Sequence, residues 1–295
     1  MYSYAEAAQF SALVMYGWDM CDANLHCLSP TPDLRIAGSG WNVVGYITGG
    51  DKIIKSGNGI RNKILGVSYQ NDDRVCYGYL AKNLVNDYVA VSRGTDGAEE
   101  WFDDLDFIPC HPNAPLQGKV DGGFYSIYQT MQFNTLEFDG SYSRLPLAEG
   151  IAKFVDFSPV SILGHSLGAA LATYLIAELS VLIDISQLDA CLFASPKPGD
   201  DNFSTWFSLN IQNYQVFNYK KDIVPMTPPL GYSALQNCTI LQPNQDGLII
   251  SPHKTCCHHL ICYIALLDPV FYGQLIAMPE MTADDKNCDA CVLLE

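Results

Sequence analysis

No apolar run in this chain approaches the roughly 18 residues a helix needs to cross a bilayer, so a transmembrane segment is excluded and a soluble protein is expected. Basic residues are scarce, with 16 Lys and Arg against 32 Asp and Glu and a net charge of −16. That balance excludes nucleic acid as a partner, because a polyanion is bound by Lys and Arg that displace its counterions. It also sets the surface against anionic membranes, leaving at most peripheral contact with a neutral lipid surface. The first 20 residues have neither a basic stretch nor a clear apolar one, so no secretory leader is expected. Internal repeats are missing too. Cysteine is not scarce. The 11 cysteines are an odd number, too thinly spread for the framework of a small secreted domain, and they point to a reducing, cytoplasmic setting, with leaderless export or a trimmed precursor as the alternative. Cys256-Cys257-His258-His259 and Cys288-Asp289-Ala290-Cys291 lack the paired spacing of a zinc site, so no metal is expected.

What the chain has is core. Its 295 residues are 48% hydrophobic and 12% aromatic, enough for one α/β domain spanning residues 1–295. Ser3 to Met20 is rich in helix formers, with Ala8, Ala12, Met15 and Tyr16 near one face. Val43 to Ile47, Ile64 to Tyr69 and Val75 to Leu80 read as early strands, with Asn71-Asp72-Asp73 as a hairpin turn. Asp87 to Ser92 reads as a further strand, Gly122 to about Leu136 as a helix, and Leu147 to Phe157 as the next helix. Strands at Ala190 to Ala194 and Tyr214 to Asn218 follow. Strands alternating with helices predict a mostly parallel central sheet flanked by helices.

The chemistry is concentrated at Val160 to Leu171. A β-branched run stops at Gly164, Ser166 stands between two glycines, and a helical segment follows at once. This G-x-S-x-G turn predicts a nucleophile elbow, with the Ser166 hydroxyl exposed and aimed, and with the Leu167 N–H placed to donate to an oxyanion. A second oxyanion donor is expected from the loop after an upstream strand. Arg93-Gly94-Thr95-Asp96-Gly97 supplies one, with Thr95 as the donor. Ala98 to Ile108 carries five acidic residues around Trp101, Phe102, Leu105 and Phe107, and reads either as a mobile flap or as a fixed surface helix.

A serine hydroxyl needs a base, and the base needs a carboxylate. In this fold class they follow in the order acid, then histidine. Asp222 lies just past an apolar strand and before Ile223-Val224-Pro225, with Asp200 and Asp201 as less favoured alternatives. The base is then among His253, His258 and His259. His165 is adjacent to the nucleophile and is assigned packing or local hydrogen bonding.

With those residues in place, the chain resembles the class 3 lipase family of α/β-hydrolases, which includes fungal triacylglycerol lipases and plant phospholipases A1. The resemblance covers about Trp41 to Asp268. It rests on Arg93-Gly94-Thr95, Glu100-Trp101 with Asp104, Gly123-Phe124, Gly164-His165-Ser166-Leu167-Gly168, Ser195-Pro196 leading to Gly199-Asp200, and Lys221-Asp222-Ile223-Val224-Pro225. It implies an α/β-hydrolase fold with Ser166 as nucleophile, Asp222 as acid, and Thr95 and Leu167 as oxyanion donors. The family's closing His-x-Leu-x-x-Tyr motif, here His258 to Tyr263, favours His258 as base, with His259 as the alternative. Where many relatives have a histidine before the Gly-Phe pair, this chain has Asp121-Gly122, and its flap segment is more acidic than that of efficient interfacial lipases. The expected activity is hydrolysis of acyl esters of lipids or of small esters through an acyl-enzyme, without a cofactor. An acyltransferase using the same triad and a silent lipid-binding protein are the alternatives.

Overall fold

A capping box starts the first helix. The Ser3 hydroxyl accepts from the Glu6 N–H while the Glu6 carboxylate accepts from the Ser3 N–H, so two amides that the helix leaves without partners are satisfied reciprocally. The computed structural model describes residues 2–50, 74–94, 107–136, 142–243, 248–281 and 291–294. Its first half runs α1 (Tyr4–Asp22), α2 (Leu34–Gly38), β1 (Asn42–Gly50), β2 (Arg74–Lys82), β3 (Tyr88–Ser92), β4 (Pro109–Cys110), β5 (Val120–Asp121), α3 (Gly122–Tyr128), β6 (Gln132–Leu136), β7 (Tyr142–Pro146) and α4 (Leu147–Val155). The second half runs β8 (Val160–His165), α5 (Leu167–Leu179), β9 (Leu188–Phe193), α6 (Asp201–Asn210), β10 (Tyr214–Tyr219), β11 (Cys238–Leu241), β12 (Leu248–Ile250), α7 (Lys254–His258), α8 (Leu260–Leu267), α9 (Pro269–Ile276) and β13 (Val292–Leu294).

One sheet organises these elements, in the order β11-β10-β9-β8-β3-β2-β1-β6-β7. Alternation along each strand feeds two apolar layers. Ile162, Leu192 and Val216 face one, which holds α3, α4 and α5, while Leu163, Phe193 and Phe217 face the other, with α1 and α8. Ala8, Ala12, Met15 and Tyr16 of α1 are all buried there. Among the described residues no helix is long and apolar enough to cross a membrane.

The structure corrects two expectations. The sheet is α/β but mixed rather than mostly parallel. β3, β8, β9, β10 and β11 pair in parallel, while β3-β2, β2-β1, β1-β6 and β6-β7 pair antiparallel. The cause at β2-β3 is a connection of only five residues, Asn83 to Asp87, which can turn the chain back but cannot carry a crossover helix. The helix expected to run to Leu136 stops at Tyr128. Gln132 to Leu136 instead pairs with β1 and β7, and Phe133 enters the core, so sheet pairing overrides local helical preference. The proposed strand at Ile64 to Tyr69, the turn at Asn71 to Asp73 and the flap up to Asp106 lie outside the described residues.

Disulfides join Cys21 to Cys76 and Cys256 to Cys291. The first ties the end of α1 to β2. The second ties α7 to the start of β13, which pairs with β12. Two thiols that a zinc reading would draw on are thereby bonded to each other.

Candidate active site

Because β3, β8, β9 and β10 are parallel, their carboxyl ends lie on one side of the sheet, where open α/β sheets place their ligands. Ser166 follows β8 directly, Asp222 follows β10 by three residues, and Gly94 follows β3 by two.

Ser166 sits at φ 58° and ψ −128°, a left-handed conformation that L side chains adopt only when held there. The flanking glycines hold it. A Cβ on Gly164 would stand 2.5 Å from the Gly168 carbonyl oxygen, and a Cβ on Gly168 would stand 2.2 Å from that of Ser92. Helix α5 therefore crosses β8 and β3 at a distance only hydrogen allows. The sequence predicts an exposed hydroxyl, but Ser166 is 1% exposed. Gly94, whose missing Cβ would be 3.1 Å from that of Ser166, closes over one side and the His258 ring over another.

The His258 Nε2 is 2.8 Å from the Ser166 Oγ, and its Nδ1 is 2.8 Å from the Asp222 Oδ2. A carboxylate accepts at Nδ1, so a neutral imidazole carries its proton there and presents Nε2 as an acceptor to the hydroxyl. The Asp222 side chain is fully buried and that of His258 is 12% exposed. Asp222 is held from three sides: Oδ2 also accepts from the Tyr263 hydroxyl at 2.7 Å, and Oδ1 accepts from the Val224 N–H at 2.9 Å. The Ile223-Val224-Pro225 turn is thus a direct brace. Tyr263 in turn accepts from the Tyr219 N–H at 3.0 Å, which ties the end of β10 to α8.

The other candidates fall elsewhere. His259 caps α8, its Nδ1 accepting from the Ile261 N–H, and His253 precedes α7. The Asp200 Oδ1 accepts from the Phe203 and Lys119 amides at the start of α6, and Asp201 is exposed in that helix. Leu167 is the first residue of α5, where helix amides have no intrahelical acceptor. Thr95 lies outside the described residues, as does all of the flap except Phe107 and Ile108. Leading up to it, Arg93 donates from Nε to the Cys76 carbonyl and from a terminal nitrogen to the Gly94 carbonyl, and lies 6.0 Å over the Trp18 ring.

Sequence reasoning missed two contacts. Tyr263 figured only in choosing between histidines, although a tyrosine inside an apolar helix needs a partner for its hydroxyl. The bond made by His165 is not local: its Nε2 is 2.8 Å from the main-chain carbonyl of His258, 93 residues away.

The "Lipase (class 3)" family model matches residues 89–232. Phospholipase A1-II 7 of Oryza sativa subsp. indica is 28% identical over 207 residues, covering 60% of this chain and 50% of that protein. The chain thus spans about half the length of this rice relative. Among solved structures, a triacylglycerol lipase described as having a serine protease triad superposes with a TM-score of 0.57 at 19% identity, over 81% of this chain and 80% of its own. The Rhizomucor miehei triacylglyceride lipase gives 0.55 at 19%, over 80% and 79%. At such identities these superpositions establish the fold.

Proposed function

We propose that this chain, whose residues 89–232 match the class 3 lipase family model, is a serine carboxylester hydrolase of the lipase or phospholipase A1 type. The observation that carries the reading is the hydrogen-bonded row from the Ser166 Oγ through His258 to Asp222, with both links at 2.8 Å.

In this reading the Ser166 Oγ attacks the acyl carbonyl as its proton passes to the His258 Nε2. Asp222 keeps the imidazole in the required tautomer and stabilises the imidazolium. The amide of Leu167, with that of Thr95, receives the oxyanion. His258 then returns the proton to the departing alcohol. Water, activated by the same imidazole, releases the fatty acid from the acyl-enzyme. The acidic surface fits neutral or zwitterionic esters better than anionic ones. For the compartment we favour an oxidising one over the reducing interior that the cysteine count suggests, because structural disulfides persist where thiols are not continually reduced.

The test is labelling by a fluorophosphonate probe, together with release of free acid from p-nitrophenyl esters, phosphatidylcholine and triglyceride. Wild type should be labelled and active, and Ser166→Ala should lose both. Unchanged ester turnover in Ser166→Ala would refute the reading.

A further inference from the structure

We propose that His165 is a positioning residue for the base: its Nε2–H holds the main-chain carbonyl of His258, and its ring is the platform on which the His258 ring lies. The inference rests on the hydrolase reading above and adds to it a residue with no part in proton transfer.

The need for such a residue arises from a break between two helices. Helix α7 ends at His258, and His259, at φ −71° and ψ 138°, is extended. The hydrogen-bond ladder of α8 then starts one residue late, with the Cys262 and Tyr263 amides both directed at the carbonyl of His259. The His258 carbonyl is thereby left out of both helices. A carbonyl in that state needs a donor, and His165 Nε2 supplies it at 2.8 Å.

The donor comes from an interior strand of the sheet. His165 is the last residue of β8, flanked in the sheet by β3 and β9, and is the immediate neighbour of Ser166. Alternation along β8 sends its side chain into the layer that holds α1 and α8. There its ring centroid is 4.7 Å from that of His258, 6.0 Å from Tyr263 and 6.3 Å from Trp18. One strand end thus fixes both partners of the 2.8 Å contact, the nucleophile covalently and the base through its main chain.

Two further features fit this role. The His165 Nδ1 is buried with no hydrogen-bond partner among the described residues, so the ring keeps an unsatisfied atom in order to present Nε2–H. Burial, and then the nearness of His258, push its pKa well below the ordinary histidine value. It therefore stays neutral and does not oppose the positive charge that forms on His258 during turnover.

Three substitutions separate positioning from packing. His165→Gln keeps an N–H near the Nε2 position, His165→Asn places it too short to reach, and His165→Phe keeps the ring without a donor. With a soluble p-nitrophenyl ester, His165→Phe and His165→Asn should lose roughly 10- to 100-fold in kcat, in line with an ångström-scale misplacement, with KM within about twofold of wild type. His165→Gln should recover most of kcat, and fluorophosphonate labelling rates should follow the same order. A folded His165→Phe with wild-type kcat, or a His165→Gln as impaired as the other two, overturns the proposal. If the variants do not fold, imidazole 15N spectra of the wild-type protein decide. A neutral, Nε2-protonated His165 from pH 5 to 8 supports the proposal, and the Nδ1 tautomer or a protonated ring sinks it. Wild type that resists fluorophosphonate refutes the hydrolase reading itself, whereas labelled wild type with an unimpaired His165→Phe refutes only this inference.

Discussion

The Tyr263 hydroxyl donates to Asp222 Oδ2 at 2.7 Å, on the same oxygen that accepts from His258 Nδ1. Removing it takes one donor from a buried carboxylate and strands the Tyr219 N–H that the hydroxyl accepts. Tyr263→Phe should therefore cost about 2 kcal/mol in stability, the usual penalty for leaving buried groups unsatisfied. It should also lower kcat roughly tenfold by loosening the acid that orients the base. Urea unfolding and steady-state kinetics on one ester measure both. A wild-type kcat would mean that the Val224 amide alone suffices to hold Asp222.

The elbow has no room for a methyl group at Gly168. A Cβ there would meet the Ser92 oxygen at 2.2 Å and the Arg93 oxygen at 2.5 Å, both main-chain atoms, one at the end of β3 and one just past it. Gly168→Ala should cost about 3 kcal/mol or more through overpacking against atoms that cannot rotate away, with loss of fluorophosphonate labelling. A soluble, fully labelled variant with an unchanged unfolding midpoint would contradict the close helix crossing.

Asp121 gives a pH dependence of defined sign. Its Oδ1 accepts the Phe124 N–H at the start of α3, but the carboxyl is buried, and that burial pushes its pKa up to about 6 from the ordinary 3.8. Between those values the native protein holds this proton more tightly than the unfolded chain does. The stabilisation is thus complete below about pH 4 and is lost as pH rises through about 6. Asp121→Asn keeps the cap acceptor and removes the charge. It should be more stable than wild type at pH 7.5, by on the order of 2 kcal/mol, and equal to it near pH 4. Unfolding curves of the two proteins across that range should converge on acidification. Parallel curves would mean that Asp121 titrates normally.

The disulfides close sequence separations of 55 and 35 residues. By chain entropy, each restricts the unfolded chain by about 4 kcal/mol. Reduction, or Cys291→Ser, should lower the urea midpoint clearly. Alkylation without reductant should spare Cys21, Cys76, Cys256 and Cys291, and modification of all four in the native protein would remove the case for an oxidising compartment.

The sequence by itself determined the elements whose signal is local. A helix at the start, the run from β8 through Gly164 to α5, and an acidic residue just past the β10 strand are written in propensity, glycine placement and strand punctuation within a few residues of each other. The resemblance of the closing motif was enough to prefer His258 over His259. Tertiary structure decided whatever depends on partners distant along the chain. Gln132 to Leu136 is a strand because β1 and β7 flank it, not because of its own preference. Ser166 is enclosed because Gly94 and His258 close over it. Which rings and hydroxyls brace Asp222 and His258 is set by where α8 docks against β8 and β10. Such contacts leave no periodic trace in a sequence, because their energy comes from burial and hydrogen bonding between segments that only the assembled sheet brings together.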